Sequence, residues 1–197
     1  MELFKKSVRY SIFLERLSDR ETYIQELEDD LDCKIVRVSA IDGNEFENIY
    51  SVMKHIRPCD TLTRGMIGCT LSHMKVLQSS DSEYITIFED DCVFRKNKSE
   101  LESFLKKIDQ LEPFDILCLG ANEIVDFIDT EFDSIKRVFR FWGTHALVVK
   151  NRVTPLMSSI IWSSCNFRCW RRNAFLHNRY SRSTACTGSW FRSSASS

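Results

Sequence analysis

A strand–helix–strand pattern near the start of the chain restricts the fold more than any other feature of the sequence. Residues 8–14 (VRYSIFL) are predicted to form one strand, and residues 34–38 (KIVRV) alternate as a second. Between them, residues 18–31 predict an amphipathic helix. Its apolar stripe consists of Tyr23, Ile24, Leu27 and Leu31. Two strands joined by a helix are typical of a parallel sheet, so the pattern predicts an α/β fold.

The same alternation continues along the chain. A loop with two glycines, in residues 63–69, is predicted to open a second helix. The later predicted elements are strands over 82–94, 114–120 and 136–150, the last bent at Gly143, and a helix over 98–111. Strands that alternate with helices in this way again favour an α/β fold.

The composition of the 197 residues excludes several classes of protein. The net charge of -1 gives no reason to expect a nucleic-acid partner. No run of eighteen apolar residues is present, so no transmembrane segment is predicted. The apolar part of the N-terminus, SIFL, is too short for a signal peptide. These features predict a cytoplasmic protein, with peripheral attachment to a membrane left open.

The last forty residues differ in character from the rest. They contain no Asp, Glu or Lys, but six Arg and eleven Ser. We therefore predict a domain over residues 1–157 and an atypical Ser/Arg-rich tail over 158–197, which is either disordered or translated out of frame. Cys165, Cys169 and His177 in this tail do not have the spacing of a usual zinc site.

Three adjacent carboxylates, Glu89, Asp90 and Asp91, interrupt the apolar strand YITIFEDDCVF. Side chains alternate along a strand, so Glu89 and Asp91 should point to one side and Asp90 to the other. A buried carboxylate needs a cationic partner, and clustered oxygen ligands suit Mg²⁺ or Mn²⁺. The alternative is a strand that ends before Glu89 and is followed by a solvated acidic turn.

The glycines that precede this strand give a second, weaker signal. Gly65-x-x-Gly68 in a loop before a helix would present backbone N–H groups to a phosphate. Arg64 would either contact that phosphate or lie on the surface. His73, inside the helix, is explained at least as well by a hydrogen-bonded core histidine.

Taken together, these motifs resemble glycosyltransferase family 25. The resemblance rests on LTRGMIGCTLSHMKVLQ followed by ITIFEDDCVF, and is supported by SIFLERLSDR, VSAIDG, FDILCLG and FWGTHALVVK in the expected order. It covers roughly residues 8–157. The family includes bacterial lipooligosaccharide galactosyltransferases and collagen hydroxylysine galactosyltransferases.

The resemblance implies a GT-A-like nucleotide-sugar-binding α/β fold with a mostly parallel central sheet. It also implies a hexosyltransferase, with galactose the first candidate sugar, that uses a UDP-sugar donor and Mn²⁺ (or Mg²⁺). The acceptor would be a glycan, as in lipopolysaccharide biosynthesis, or a hydroxylysine-type side chain.

The resemblance also implies roles for individual residues. Glu89 and Asp91 would bind the metal, with donor ribose as a second role for Glu89. The positions expected to shape the donor pocket are Arg20, Asp42, Gly43, Gly68, Ser72, His73, Asp90, Gly143, Thr144 and His145. Gly43 and Gly143 would otherwise serve turns, and Thr144 and His145 would be hydrogen-bonding residues at the end of a strand.

The sequence departs from the family pattern in two places. Met66 stands where the family usually has Glu, and no Asp or Glu follows Asp133. An inverting transfer needs a general base, which therefore stays unassigned. We expect a fold that is incomplete at its C-terminus. The alternatives are a truncated remnant that binds nucleotide-sugar without transfer, and a Mg²⁺-dependent phosphate hydrolase built on Glu89, Asp90 and Asp91.

Overall fold

The structure is a computed structural model that describes residues 6–45, 63–94, 98–108, 110, 114–121, 123–132, 135–151, 184–187 and 191–193. Its strands are β1 (Ser7–Phe13), β2 (Val36–Ser39), β3 (Tyr84–Glu89), β4 (Cys92–Phe94), β5 (Ile116–Gly120), β6 (Glu123–Asp129), β7 (Ile135–Trp142), β8 (Ala146–Lys150), β9 (Thr184–Thr187) and β10 (Phe191–Ser193). Its helices are α1 (Arg20–Leu31), α2 (Arg64–Gln78) and α3 (Lys98–Ile108).

The predicted α/β fold is confirmed. Among the described residues, eight strands form a central sheet in the order β2-β1-β3-β8-β5-β9-β7-β6, and β4 pairs with β10 in a small separate ribbon. Strands β2 and β3 both pair with β1 in parallel, as the strand–helix–strand pattern predicts. The carboxyl ends of these three strands therefore lie at one edge of the sheet, where ligands bind in folds of this kind.

Among the described strands beyond β3, β5 and β9 pair in parallel but the other pairs are antiparallel, so the expectation of a mostly parallel sheet does not hold there. Strand β8 lies between β3 and β5 and is antiparallel to both, and β7 is antiparallel to β6 and β9. The sheet is therefore mixed. The predicted bent strand over 136–150 is in fact two strands, β7 and β8, which are not neighbours in the sheet. Between them, Gly143 has a φ of 62°, a left-handed conformation that glycine adopts without strain.

The hydrophobic core consists of two layers, one on each face of the sheet. On one face, Phe88 packs in a cluster with Ile24 of α1 and Phe104 of α3. On the other face, Ile87 packs in a cluster with Val76 of α2. Adjacent residues of β3 thus serve opposite layers, because side chains alternate along a strand. Burial of a side chain such as Phe88, which is fully buried, contributes about 1.5–3 kcal/mol.

A buried ion pair joins α1 to β2. The carboxylate of Glu28 accepts a hydrogen bond from the backbone N–H of Ile35 at 2.7 Å and lies 3.0 Å from the Arg37 guanidinium. The hydrogen bond from Arg37 outweighs burial and holds the pKa of Glu28 below its ordinary value. Before this connection, α1 ends at Leu31, and its C-cap Asp32 has a left-handed φ of 49°. The pair therefore fixes where β2 starts relative to the helix.

Of the strands that the structure describes, two short ones fall in the Ser/Arg-rich segment. Strand β9 lies between β5 and β7 in the main sheet, and β10 pairs with β4. The division of the chain at residue 157 and the nature of this segment stay predictions. Cys165, Cys169 and His177 lie outside the described residues. Within the described residues, no helix has the length and hydrophobicity needed to cross a membrane.

Candidate functional site

The predicted acidic motif lies at the carboxyl end of β3. The strand ends at Glu89, Asp90 and Asp91 form a turn, and β4 follows, so the strand expected over 82–94 is interrupted at the acids. Because β8 runs antiparallel to β3, the start of β8 lies beside this end, with Phe88 paired to Ala146. The backbone N–H of Glu89 also donates to the carbonyl of His145 at 3.0 Å. The loop before β8 is therefore held against the carboxylates.

Glu89, Asp91 and His145 converge at one point. Nδ1 of His145 lies 3.7 Å from Oε2 of Glu89 and 3.9 Å from Oδ1 of Asp91. These separations are too long for direct hydrogen bonds. They fit ligand atoms that share one ion through bonds of about 2.0–2.2 Å. The side chain of His145 is 5% exposed, whereas that of Glu89 is 26% exposed, so the cluster has one open side.

The charge state of His145 reflects both burial and its acidic neighbours. Burial disfavours the charged imidazolium, but the carboxylates of Glu89 and Asp91 more than compensate and raise the pKa of His145 above its ordinary value. The negative charge of the two carboxylates therefore outweighs the desolvation of a positive charge at this position. A divalent cation would meet the same attraction.

The other oxygen of Glu89 is surrounded by a second set of polar atoms. The Thr144 hydroxyl donates to Oε1 at 3.1 Å, and the Cys69 thiol lies 3.8 Å away. Nε2 of His73 lies 4.0 Å from the same oxygen. The hydrogen bond from Thr144 orients the Glu89 carboxylate. Among the described residues, this carboxylate belongs to two groups that could hold a metal ion, Glu89–Asp91–His145 and Cys69–His73–Glu89.

Asp90 points the other way, as alternation predicts. Its Oδ2 accepts a hydrogen bond from the backbone N–H of Leu14 at 3.0 Å, just beyond the end of β1. Its Oδ1 lies 3.9 Å from the Arg20 guanidinium. Burial outweighs both partners and raises the pKa of the Asp90 carboxyl. Asp90 and Arg20 therefore connect the acidic turn to β1 and α1.

Four predicted site residues lie where the turn after β2 packs against α2, and we call this contact the junction. They are Asp42, Gly43, Gly68 and Ser72. The Ser72 hydroxyl accepts from the N–H of Ile41 at 2.8 Å and donates to the carbonyl of Gly68 at 2.7 Å. A Cβ on Gly43 would overlap the backbone carbonyl of Arg64, and one on Gly68 would overlap that of Ile41. Both glycines are therefore required for close backbone contact between the junction and α2.

The structure corrects the expected phosphate-binding loop. Gly65 and Gly68 lie inside α2, which starts at Arg64, rather than in a loop before it. The side chain of Thr63 caps the helix by accepting from the N–H of Met66 at 3.2 Å. This cap already satisfies one of the N–H groups that a phosphate would need.

Asp42 completes the junction. Its carboxylate accepts from the backbone N–H of Asn44 at 2.9 Å and from the Arg16 side chain at 2.6 Å. The backbone hydrogen bond first, and Arg16 second, lower the pKa of Asp42. Asp42 therefore stays ionised and links the loop after β1 to the turn after β2.

The predicted site residues thus fall into three adjoining groups. The first surrounds Glu89 and comprises Asp91, His73, Thr144 and His145, with Gly143 in the same loop. The second is Asp90 with Arg20, and the third is the junction of Asp42, Gly43, Gly68 and Ser72. Cys69 also contacts Glu89, although the sequence analysis gave it no role there. Its spacing of four residues from His73 on one helix was the available signal.

Comparison with known families supports the resemblance seen in the sequence. Residues 7–163 match the model of glycosyltransferase family 25, described as an LPS biosynthesis protein family. A bovine (Bos taurus) relative described as "Probable inactive glycosyltransferase 25 family member 3" is 32% identical over 69 residues. That match covers 32% of this chain and 12% of the relative, so the chain spans a small part of that protein.

Two solved structures align with the chain at low sequence identity. Apo UDP-glucose pyrophosphorylase aligns with a TM-score of 0.50 and 8% identity, over 94% of this chain and 92% of its own. A glycosyltransferase involved in the glycosylation of the major capsid of PBCV-1 aligns with a TM-score of 0.47 and 9% identity, over 91% of this chain and 79% of its own. The first of these likenesses supports a GT-A-like α/β fold.

Proposed function

Because the chain belongs to glycosyltransferase family 25, we propose that it is a metal-dependent hexosyltransferase. The donor would be a UDP-sugar, with galactose the first candidate, and the acceptor a glycan or a hydroxylysine-type side chain. The observation that carries this proposal is the convergence of Glu89, Asp91 and His145 at the carboxyl end of β3. In α/β sheets this is the edge at which nucleotides bind.

The donor atoms of this cluster fit a divalent cation. Glu89 and Asp91 supply the carboxylate oxygens that Mg²⁺ and Mn²⁺ prefer, and His145 adds an imidazole nitrogen. The nitrogen favours Mn²⁺ over Mg²⁺, which binds oxygen almost exclusively. When bound, the cation would neutralise the diphosphate and stabilise the departing UDP.

The protein's own residues would prepare that position before the donor arrives. Thr144 fixes the orientation of Glu89 by its hydrogen bond to Oε1. Asp90 holds the acidic turn to the end of β1, so Asp91 cannot swing away. A cation site whose ligands are already oriented loses less conformational entropy on binding.

The remaining residues would shape the donor pocket. Gly43, Gly68 and Ser72 fix the β2–α2 junction, and Asp42 and Arg20 lie near the ends of β2 and β1. These ends share the sheet edge that carries Glu89. We propose that the junction limits the space available to the nucleoside.

A second candidate function is donor binding without transfer. The sequence has no Asp or Glu after Asp133, which removes the carboxylates that could serve as base from that part of the chain. The bovine relative is itself described as probably inactive. Under this alternative, the cation and UDP-sugar would still bind at Glu89 and Asp91.

Two measurements test the proposal. In thermal unfolding, Mn²⁺ with UDP-galactose at a hundredfold excess over the dissociation constant should stabilise the protein by about 2.7 kcal/mol. The Glu89→Gln/Asp91→Asn variant should show no such shift. Absence of a shift with UDP-galactose and with other UDP-hexoses would contradict the proposal.

The second measurement is the release of UDP with and without candidate acceptors. Release that needs Mn²⁺ and increases with an acceptor identifies a transferase. A ligand-induced thermal shift without acceptor-stimulated release identifies the donor-binding alternative. Release of inorganic phosphate without sugar transfer would instead identify a phosphate hydrolase.

A further inference from the structure

A second group of metal ligands shares Glu89 but lies on the α2 side of its carboxylate. One ligand atom from each of Cys69, His73 and Glu89 lies within 4.8 Å of the others. Thiolate, imidazole and carboxylate together suit zinc far better than they suit Mg²⁺ or Mn²⁺. Cys69 is in contact with both of its neighbours and is not part of a disulfide.

The helix itself places two of the three ligands. Residues four apart on an α-helix lie on the same face, so Cys69 and His73 of α2 point in the same direction. The Cys69 sulfur lies 3.7 Å from Nδ1 of His73 and 3.8 Å from Oε1 of Glu89. Two bonds of about 2.0–2.3 Å to one tetrahedral zinc ion separate their ligand atoms by about 3.3–3.7 Å. The observed sulfur–oxygen separation is close to that range.

The hydrogen bonding of His73 leaves its other nitrogen facing Glu89. Nδ1 lies 3.0 Å from the backbone carbonyl of Cys69. A carbonyl only accepts, so in the neutral ring this bond places the proton on Nδ1 and leaves a lone pair on Nε2. Nε2 then faces Oε1 of Glu89 at 4.0 Å, with acceptor opposite acceptor. A cation between them removes this repulsion, and an Nδ1–H bond to a carbonyl is the usual support for a histidine that binds zinc through Nε2.

We propose that Cys69, His73 and Glu89 form a zinc site distinct from the Glu89–Asp91–His145 cluster. Zinc would bind the Cys69 sulfur, Nε2 of His73 and Oε1 of Glu89, and the thiol proton would leave to solvent. The partial exposure of Glu89 leaves an open side through which the ion enters. Zinc at Oε1 and the proposed donor-site cation at Oε2 would share one carboxylate at short range, and the repulsion between two divalent ions makes the two metals compete.

Cobalt(II) is the probe for this site, because Co²⁺ replaces Zn²⁺ and shows a thiolate-to-metal charge-transfer band when sulfur is a ligand. The full chain should give this band with one equivalent of Co²⁺, and Zn²⁺ should remove it. Cys69→Ser should abolish the band. Cys33→Ser is the matched control, since Cys33 is also a partly buried thiol, and it should retain the band.

Two further variants exclude other origins of the signal. Cys165→Ser/Cys169→Ser should retain the band, which excludes these two cysteines, four residues apart in the sequence, as its origin. Asp91→Asn should also retain it, because Asp91 belongs only to the other group of ligands. Equal unfolding midpoints without metal establish that Cys69→Ser is folded. No band in the wild-type chain, or a band that persists in Cys69→Ser, would overturn the proposal.

The competition between metals rests on the proposed function and is tested separately. One equivalent of Zn²⁺ should weaken Mn²⁺-dependent UDP binding at least tenfold in the wild type and have no such effect in Cys69→Ser. Equal effects of Zn²⁺ on both proteins would overturn the competition. If Mn²⁺ and UDP do not bind at all, the proposed function fails, while the cobalt band still decides whether the zinc site exists.

Discussion

Glu89 and Asp90 are adjacent carboxylates with opposite environments. Asp90 accepts a hydrogen bond from the backbone N–H of Leu14 and forms an ion pair with the Arg20 guanidinium. Glu89 instead faces two histidines, a thiol and, across His145, the carboxylate of Asp91. The difference shows that adjacent carboxylates in a sequence do not necessarily belong to one binding site. At the end of β3 and in the turn that follows, Asp90 supports the turn, whereas Glu89 and Asp91 can bind a ligand.

The largest expected effect comes from removing the shared carboxylate. Glu89→Gln should weaken Mn²⁺-dependent binding of UDP by about a hundredfold or more, because a neutral amide is a poor ligand for a hard cation. Stability without ligand should change little, since the Glu89 side chain is partly exposed. Isothermal titration with Mn²⁺ and UDP measures the affinity. Retained affinity would show that Glu89 does not bind the metal.

Glu28 resembles Asp90, because the partners of its carboxylate are also protein groups, so we expect it to have a structural role. Glu28→Gln should cost about 2 kcal/mol in urea unfolding, less than for a fully buried pair because Arg37 is partly exposed. The pKa of Glu28 is lowered in the folded state, so the wild type's advantage is complete above about pH 4.5. It should decline as the pH falls through the lowered pKa. An advantage that grows below pH 4.5 would contradict this assignment.

Asp90→Ala should cost about 1–2 kcal/mol, because the N–H of Leu14 loses its acceptor. Asp90→Asn keeps an acceptor oxygen and removes a charge that burial disfavours, so its unfolding free energy should stay close to that of the wild type. Chemical denaturation of both variants checks this order. Equal losses in both would mean that the charge, and not the hydrogen bond to Leu14, holds the turn.

The smallest effect is expected at the residue that only orients Glu89. Thr144→Val removes the hydroxyl that donates to Oε1 and keeps the shape of the side chain. Mn²⁺-dependent affinity for UDP should fall about three- to tenfold, in line with the loss of one hydrogen bond. Thr130→Val, in the loop before β7, is a control that leaves Glu89 untouched. An unchanged affinity in Thr144→Val would show that Glu89 is oriented by other contacts.

The sequence predicted the N-terminal half of the fold better than the rest. The apolar stripe of α1 and the alternation in β2 are local patterns, and strands joined by a helix are typical of the parallel pairing that β1 makes with β2 and β3. The opposite orientation of Asp90 was predicted correctly, although Asp90 and Asp91 lie in the turn after β3 and not in the continuous strand that the alternation argument assumed.

The second half of the sheet depends on long-range pairing that no local pattern records. The insertion of β8 between β3 and β5 joins residues far apart in sequence, and it is this insertion that brings His145 to Glu89. The role of Gly68 could not be predicted from the sequence either. A glycine next to a helix start suggests a phosphate loop, whereas its actual function is close contact with the carbonyl of Ile41.

Direct measurement of Mn²⁺ binding in Asp91→Asn and Asp90→Asn tests the central claim, that the two sides of the acidic turn have different functions. The variants make the same chemical change at adjacent positions, and electron paramagnetic resonance of Mn²⁺ with UDP present counts the bound ion. We predict that Asp91→Asn loses at least about tenfold in Mn²⁺ affinity, while Asp90→Asn stays within about threefold of the wild type. Equal losses in the two variants, or a larger loss in Asp90→Asn, would contradict the account.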